Sequence, residues 1–219
     1  MIANELISND IVPLRTSDLG SEALEVMHEF FVQHLPIVND RQLLGLVSEN
    51  DILEHDVEAP VGSFQLSLPH ARVRDGDHLY EVMRLVAQYD LTAAPVVDAE
   101  GNYEGLITSG DLLNYYARTA TFTESGSVIV LEVQRRDYSL AEIARIAESE
   151  NAIILSSFVD SIANGSLLQV TIKVNLEHVS GMIATFERFG YEIRATFNEG
   201  LAVDTLRERY DALINYLNV

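Results

Sequence analysis

The sequence predicts an α+β protein in two parts. The first is a pair of repeated β-α-β-β-α units; the second is a β-α-β-β-α-β unit followed by a C-terminal helix. Two observations carry this reading. The stretches "GLVSENDIL" (45–53) and "GLITSGDLL" (105–113) are near-copies, and the residues ahead of each align in one register. After Arg118 the apolar period alternates between that of a strand and that of a helix.

The register is well defined. "LRTSDLGSEALEVM" from Leu14 and "VRDGDHLYEVMRLV" from Val73 align at an offset of 59, pairing Arg15 with Arg74, Asp18 with Asp77, Glu22 with Glu81 and Pro36 with Pro95. One residue inserted in the second copy then raises the offset to 60, pairing Gly45 with Gly105 and Asp51 with Asp111. The repeats span about 5–56 and 64–118, within a first domain at 1–120.

Each copy opens on a short strand, "DIVPL" or "HARV". Asp18 and Asp77 are good N-caps for the helix that follows. Its apolar positions are Ala23, Val26, Met27 and Phe30 in one copy and Val82, Leu85 and Val86 in the other. Next come a buried strand ("LPIV", "APVV"), a polar turn and a second strand ("LLGLV", "YEGLI"). A second helix begins near the motif aspartate. A hairpin with two helices cannot hide its apolar faces alone, whereas two copies packed together can.

The stretch "TATFTESGS" (119–127) reads as a linker, and the second domain is expected at 126–219. Its elements are a strand at 128–133, a helix at 140–150, a strand at 152–159, a hairpin turn at Asn164-Gly165 and a strand at 167–174. A helix at 177–189 stopped by Gly190 and a strand at 191–197 complete it. This order is that of the ferredoxin-like split unit. A last amphipathic helix from about Asp204 to Asn218 places Leu206, Tyr210, Leu213, Ile214 and Leu217 on one face.

Composition excludes several functions. The net charge is −20, from 34 acidic and 14 basic residues, 13 of the latter arginine and one Lys173. Such a surface repels phosphate backbones, so no nucleic-acid partner is expected. There is no cysteine, which removes disulfides and thiolate chemistry and fits a reducing cytoplasm. The N-terminal residues lack a secretory pattern, and no apolar run approaches the ~20 residues of a membrane span, so a cytoplasmic protein without a membrane partner is expected. His28, His34, His55, His70, His78 and His178 show no metal-binding spacing, and no phosphate loop, nucleophile elbow or dinucleotide fingerprint is present. No catalytic residue, metal or cofactor is therefore expected, and the protein reads as a non-enzyme. Phe30-Phe31 and Tyr115-Tyr116 fall in predicted helices and read as core or subunit contacts.

The repeated motif admits two readings. Ser48 and Thr108 stand at helix N-cap positions with Asp51 and Asp111 three residues on, close to a capping box. A helix N-terminus beside a strand end is equally a site for a polar ligand. A carboxylate there can accept two hydrogen bonds from a vicinal diol such as ribose, and the hydroxyl can donate to a phosphate. The Pro-bearing strand behind it supplies an apolar wall.

The first half, about residues 5–118, resembles a tandem pair of cystathionine-β-synthase (CBS) domains. The resemblance rests on "DLGSEALEVM…HLPIVND…LLGLVSENDIL" and "DHLYEVMRLV…AAPVVDAEGNYEGLITSGDLL". It implies a pseudo-two-fold pair, often dimeric, with two clefts for an adenosyl ligand: AMP, ADP, ATP or S-adenosylmethionine. On that resemblance Asp51 and Asp111 would hold the ribose, with Ser48 and Thr108 near the ribose or phosphate. Leu35-Pro36 and Ala94-Pro95 would flank the base. The family often has a small hydroxyl residue on its first strand; this chain has Pro13 and Arg72 there. Arg72 is a candidate phosphate clasp, with Arg15 and Arg74 weaker ones. Six basic residues among the first 120 favour AMP, adenosine, Mg-ATP or S-adenosylmethionine over free ATP. Gly110 leaves more backbone room beside Asp111 than Asn50 does beside Asp51, so the second cleft is the first expected to fill.

Residues 127–198 resemble an ACT-type regulatory domain in element order. The turn "RRDYSLAEI" carries Tyr138-Ser139 where the family usually has a glycine. Packing or dimerisation is therefore expected there ahead of an effector site near Asp137 to Leu140. Together these features imply a regulatory, homodimeric sensor of an adenosyl ligand. The alternative is a homodimeric scaffold with empty clefts, in which the repeated motifs are only helix caps.

Overall fold

A computed structural model describes residues 1–162 and 165–198. The helix expected from Asp204 to Asn218 lies outside the described residues, as does Asn164 of the expected turn. The chain divides into two compact units, Met1–Tyr116 and the residues from Ala117 on.

In the first unit, the first copy comprises α1 (Gly20–Phe30), β1 (His34–Asn39), β2 (Gln42–Ser48) and α2 (Glu49–Leu53). The second comprises β3 (Val73–Arg74), α3 (Leu79–Tyr89), β4 (Ala93–Val97), β5 (Tyr103–Thr108) and α4 (Ser109–Ala117). Each hairpin is antiparallel, with Leu35 opposite Val47 and Ala94 opposite Ile107. A register shift recurs at the same place in both, between Ile37 and Val38 and between Val96 and Val97.

The leading strands are shorter than expected. β3 runs parallel to β4 over two residues. In the first copy the strand contracts to one parallel bridge, Leu14 to Ile37, in which Leu14 N–H donates to the Pro36 carbonyl and Val38 N–H to the Leu14 carbonyl.

The helix caps fall one residue later than predicted. Leu19 and His78 are the N-caps. Asp18 and Asp77 instead reach backwards, each accepting at 2.8 Å from the backbone N–H of Arg15 or Arg74. Their own N–H groups donate to the same residues' carbonyls. Each aspartate thus closes a turn ahead of the helix instead of capping it. In the first copy Glu22 supplies a bond at the cap, accepting from Leu19 N–H at 2.9 Å.

Neither copy closes its core with its own residues. The first core gathers Ala23, Met27, Leu35, Ile37 and Ile52, and is completed by Val61 and Phe64 of the connecting segment. The second gathers Val73, Val82, Ala94, Val96 and Ile107, and is completed by Ala3 of the N-terminal segment. The copies also trade hairpin residues: Ala93 and Leu106 enter the first core and Leu46 the second. Backbone bridges mark the exchange. Ser8 pairs with Leu106 and Ile2 with His78, while Leu68 pairs with Leu46 and Pro60 with Leu19. Each lead-in segment therefore lies on the other copy.

The motif glycine is explained by this crossing. At Gly45, φ +157°, a Cβ would stand 2.9 Å from Leu66 Cδ1 and 3.1 Å from Pro69 Cα. At Gly105, φ +153°, it would collide with Cγ2 of Ile7.

The second unit opens with a single helical turn, α5 (Ala120–Thr123), inside the predicted linker. It continues with β6 (Ser127–Gln134), α6 (Leu140–Ser149), β7 (Ile154–Ile162), β8 (Leu167–Val174), α7 (Ser180–Arg188) and β9 (Glu192–Asn198). The strand order is β7-β8-β6-β9, and every neighbouring pair is antiparallel. Ile129, Leu131, Val170 and Ile172 share a core with Ile143 and Ile146 of α6 and Met182 and Phe186 of α7. Helix α7 starts three residues later than predicted, because the hydroxyl of Ser127 captures the Glu177 carbonyl at 3.0 Å and holds that residue outside the helix. On strand β6, Glu132 is buried and meets Arg194 at 2.7 Å.

Substituting Gly105→Ala should destabilise the first unit by about 1–3 kcal/mol, the usual cost of overpacking, read by urea unfolding. Ile7→Ala in the same chain should recover part of that loss. Equal and additive losses would show that the two positions are independent.

Candidate ligand clefts

The repeated motif sits at two helix starts. Ser48 is the N-cap of α2, and its hydroxyl accepts from Asp51 N–H at 3.0 Å. Asp51 Oδ2 accepts from Ser48 N–H at 2.9 Å, which completes a capping box. At the second site Asp111 N–H donates to Thr108 Oγ1 at 3.0 Å. Asp111 Oδ2 accepts from Thr108 N–H at 2.8 Å and from Thr108 Oγ1–H at 2.7 Å.

The two sites differ in what surrounds the carboxylate. Ser67, on the segment that crosses to the first copy, donates its hydroxyl to Asp51 Oδ2 at 3.0 Å. Asp51 is 6% exposed. Asp111 is only partly buried, and its described bonds all go to Oδ2 from Thr108. Ser8, on the segment that crosses to the second copy, bonds to Asp10 instead. Ser67 was not among the expected site residues. Its signal is weak in the sequence, since only the crossing brings it to Asp51.

The remaining candidates are placed as follows. Leu35 and Ala94 are wholly buried, one in each core, and Pro36 and Pro95 beside them are also buried. Their side chains line the protein interior, so the strands offer a ligand their backbone. Arg72 does not lie with Thr108 and Asp111. It lines a cavity of about 370 Å³ with Arg74, Asp77, Asp98 and Glu100. Pro13 and Arg15 line a corresponding cavity of about 530 Å³ in the first copy. These cavities are at the far end of the hairpins. Asn39 pairs with Gln42 there, whereas His34 pairs with Ser48 at the motif end. Among the described residues no group of three or more His, Asp or Glu is gathered as a metal site, and no helix is long and apolar enough to cross a membrane.

At the motif end the two copies touch. Gln33 N–H donates to Thr92 Oγ1 at 2.7 Å, and Thr92 N–H donates to His34 Nδ1 at 3.3 Å. His34 is 9% exposed. Burial lowers its pKa from the ordinary 6.5, opposed by the charges of Asp51 and Asp90.

Comparison with known proteins agrees with this half of the chain. Residues 3–58 and 68–118 each match the CBS domain family. An inosine-5'-monophosphate dehydrogenase of Aquifex aeolicus is 30% identical over 96 residues, which is 42% of this chain and 20% of that protein. The magnesium transporter MgtE of Thermus thermophilus is 32% identical over 91 residues, 41% of this chain and 20% of the transporter. The chain thus spans about a fifth of the length of these curated relatives. A solved structure described as a CBS domain pair/ACT domain protein from Thermotoga maritima superposes with a TM-score of 0.48 at 22% identity, covering 53% of this chain and 96% of that one. The first half of the chain is a tandem CBS domain pair.

Two outcomes follow from the site itself. Asp51→Ala should cost about 2 kcal/mol or more, because buried donors on Ser48 and Ser67 lose their acceptor, while Asp111→Ala should cost about 1 kcal/mol, a plain cap loss. Denaturant midpoints compare the two, and equal losses would refute the difference in burial. His34 binds a proton less readily folded than unfolded, so stability should fall as pH drops below the ordinary histidine value of 6.5 and level off beneath its lowered folded value. Melting temperatures from pH 7.5 to 5 should show a shallower decline in His34→Gln than in the parent chain.

Proposed function

We propose that the chain is a regulatory protein whose CBS pair binds an adenosyl ligand, AMP, ADP, ATP or S-adenosylmethionine, in clefts beside Asp51 and Asp111. The observation that carries this reading is the recurrence of a hydroxyl and a carboxylate at the N-termini of α2 and α4, each behind a buried Pro-bearing strand. A single such element would be only a cap. Two in register, in a matched CBS pair, supply a polar helix start beside a strand end twice over. Asp111 is partly exposed where Asp51 is buried, which makes it the better acceptor for a ribose diol.

In this reading the second unit is an ACT-like domain of ferredoxin-like topology, supported by its β7-β8-β6-β9 antiparallel sheet under two helices. Ligand in the CBS clefts would shift the relation of the two copies and so the state of the attached domain. A homodimer in the cytoplasm, acting without a catalytic step of its own, completes the proposal. Acidity of the repeated half disfavours a free polyphosphate, so AMP, S-adenosylmethionine or Mg-ATP is preferred over metal-free ATP.

One observation favours the scaffold reading for the first copy. Asp51 is buried and bonded by Ser48 and Ser67, as a purely structural cap would be.

Calorimetry and thermal melting with AMP, ATP with and without magnesium, and S-adenosylmethionine test both readings. A sensor gains stability by mass action, about 2.7 kcal/mol at a hundredfold excess over Kd, and Asp111→Ala should abolish most of that gain. No shift with any of the four would leave the scaffold. Tighter binding of metal-free ATP than of AMP would overturn the charge argument alone.

A further inference from the structure

Gln33 and Thr92 occupy the same place in the two copies, at the repeat offset of 59, and they bond to each other. The contact therefore lies where the two copies meet their own mirror positions. The same two residues also hold the starts of both candidate helices. The Gln33 carbonyl accepts from Glu49 N–H at 2.9 Å, and the Thr92 carbonyl accepts from Ser109 N–H at 3.0 Å. Glu49 and Ser109 are the first residues of α2 and α4, so a shift at the junction reaches both motifs through one peptide unit each.

The junction is not symmetric. Where the second copy has Ala93, the first has His34. Thr92 N–H donates to His34 Nδ1, which requires Nδ1 to carry no proton and fixes the Nε2–H tautomer. Thr92 Oγ1 also lies 3.1 Å from the same Nδ1, whose single lone pair the backbone N–H engages. A proton on Nδ1 would set one donor against another. The hydroxyl could turn and accept, but the Thr92 backbone N–H would be left without an acceptor. The charged groups around His34 are Asp51 on α2 and Asp90 at the C-terminal end of α3. His28 and Glu49 line an adjoining cavity of about 540 Å³ together with Gln33 and Thr92.

We propose that the Gln33–Thr92 junction couples the two clefts, and that protonation of His34 breaks one of its bonds and shifts the starts of α2 and α4 together. The coupling is a property of the ligand-free chain and stands apart from which ligand the clefts take.

The test is a pH titration of the ¹⁵N-labelled full chain by NMR, without ligand. At pH 8 the His34 ring should show the Nε2–H tautomer. Between pH 8 and 5 the backbone amides of Thr92, Glu49 and Ser109 should move with the midpoint of the His34 ring. In His34→Gln those movements should be lost, while any caused by His28, Glu49, Asp51 or Asp90 would persist. An Nδ1–H ring at pH 8 would overturn the proposal. So would stationary Glu49 and Ser109 amides, a midpoint different from that of His34, or equal movement in the variant. Should His34→Gln not fold, the tautomer and the shared midpoint in the parent chain decide the matter.

Discussion

The first unit depends on an exchange of segments. A two-stranded hairpin flanked by two helices buries only part of its apolar surface, and burial is the main favourable term in folding. Each copy solves the problem with the lead-in segment of the other: Ala3 closes the second core, and Val61 and Phe64 close the first. The motif glycines and the placement of Ser67 against Asp51 both follow from where these segments run.

The repeated motif shows how a structural device and a binding site can use the same atoms. A helix start leaves amides without partners, and a hydroxyl with a carboxylate three residues on satisfies two of them. Whether the carboxylate has capacity left for a ligand depends on its neighbours. Asp51 is buried with Ser67 of the crossing segment bonded to it, whereas Asp111 stays partly exposed. Near-identical local sequences therefore have different chemical availability, set by residues distant in the chain.

Much of the fold was legible because it is written in local periodicity. The hairpins of both copies, the helices α1 and α3 and the four strands of the second unit stand where the apolar pattern puts them. What escaped was decided by competition or by distance. Asp18 and Asp77 have the chemistry of N-caps, but the turn that each closes is nearer. Arg72 has the charge for a phosphate, yet its strand carries it to the end of the hairpin opposite the motif, among acidic side chains. Ser67 and the Gln33–Thr92 contact could not be read locally at all, since nothing within either copy announces which segment crosses.

The exchange of lead-in segments also bears on how such a chain could have arisen. A single ancestral copy would lack the strip that covers its own hairpin, and would find it only on a second molecule of the same kind. Two such molecules would embrace reciprocally, each lending its leading residues to the other. Joined end to end by duplication, they become the present first unit, with the former intermolecular embrace preserved inside one chain. The two halves have since been free to diverge, as at His34 and Ala93, but not to separate.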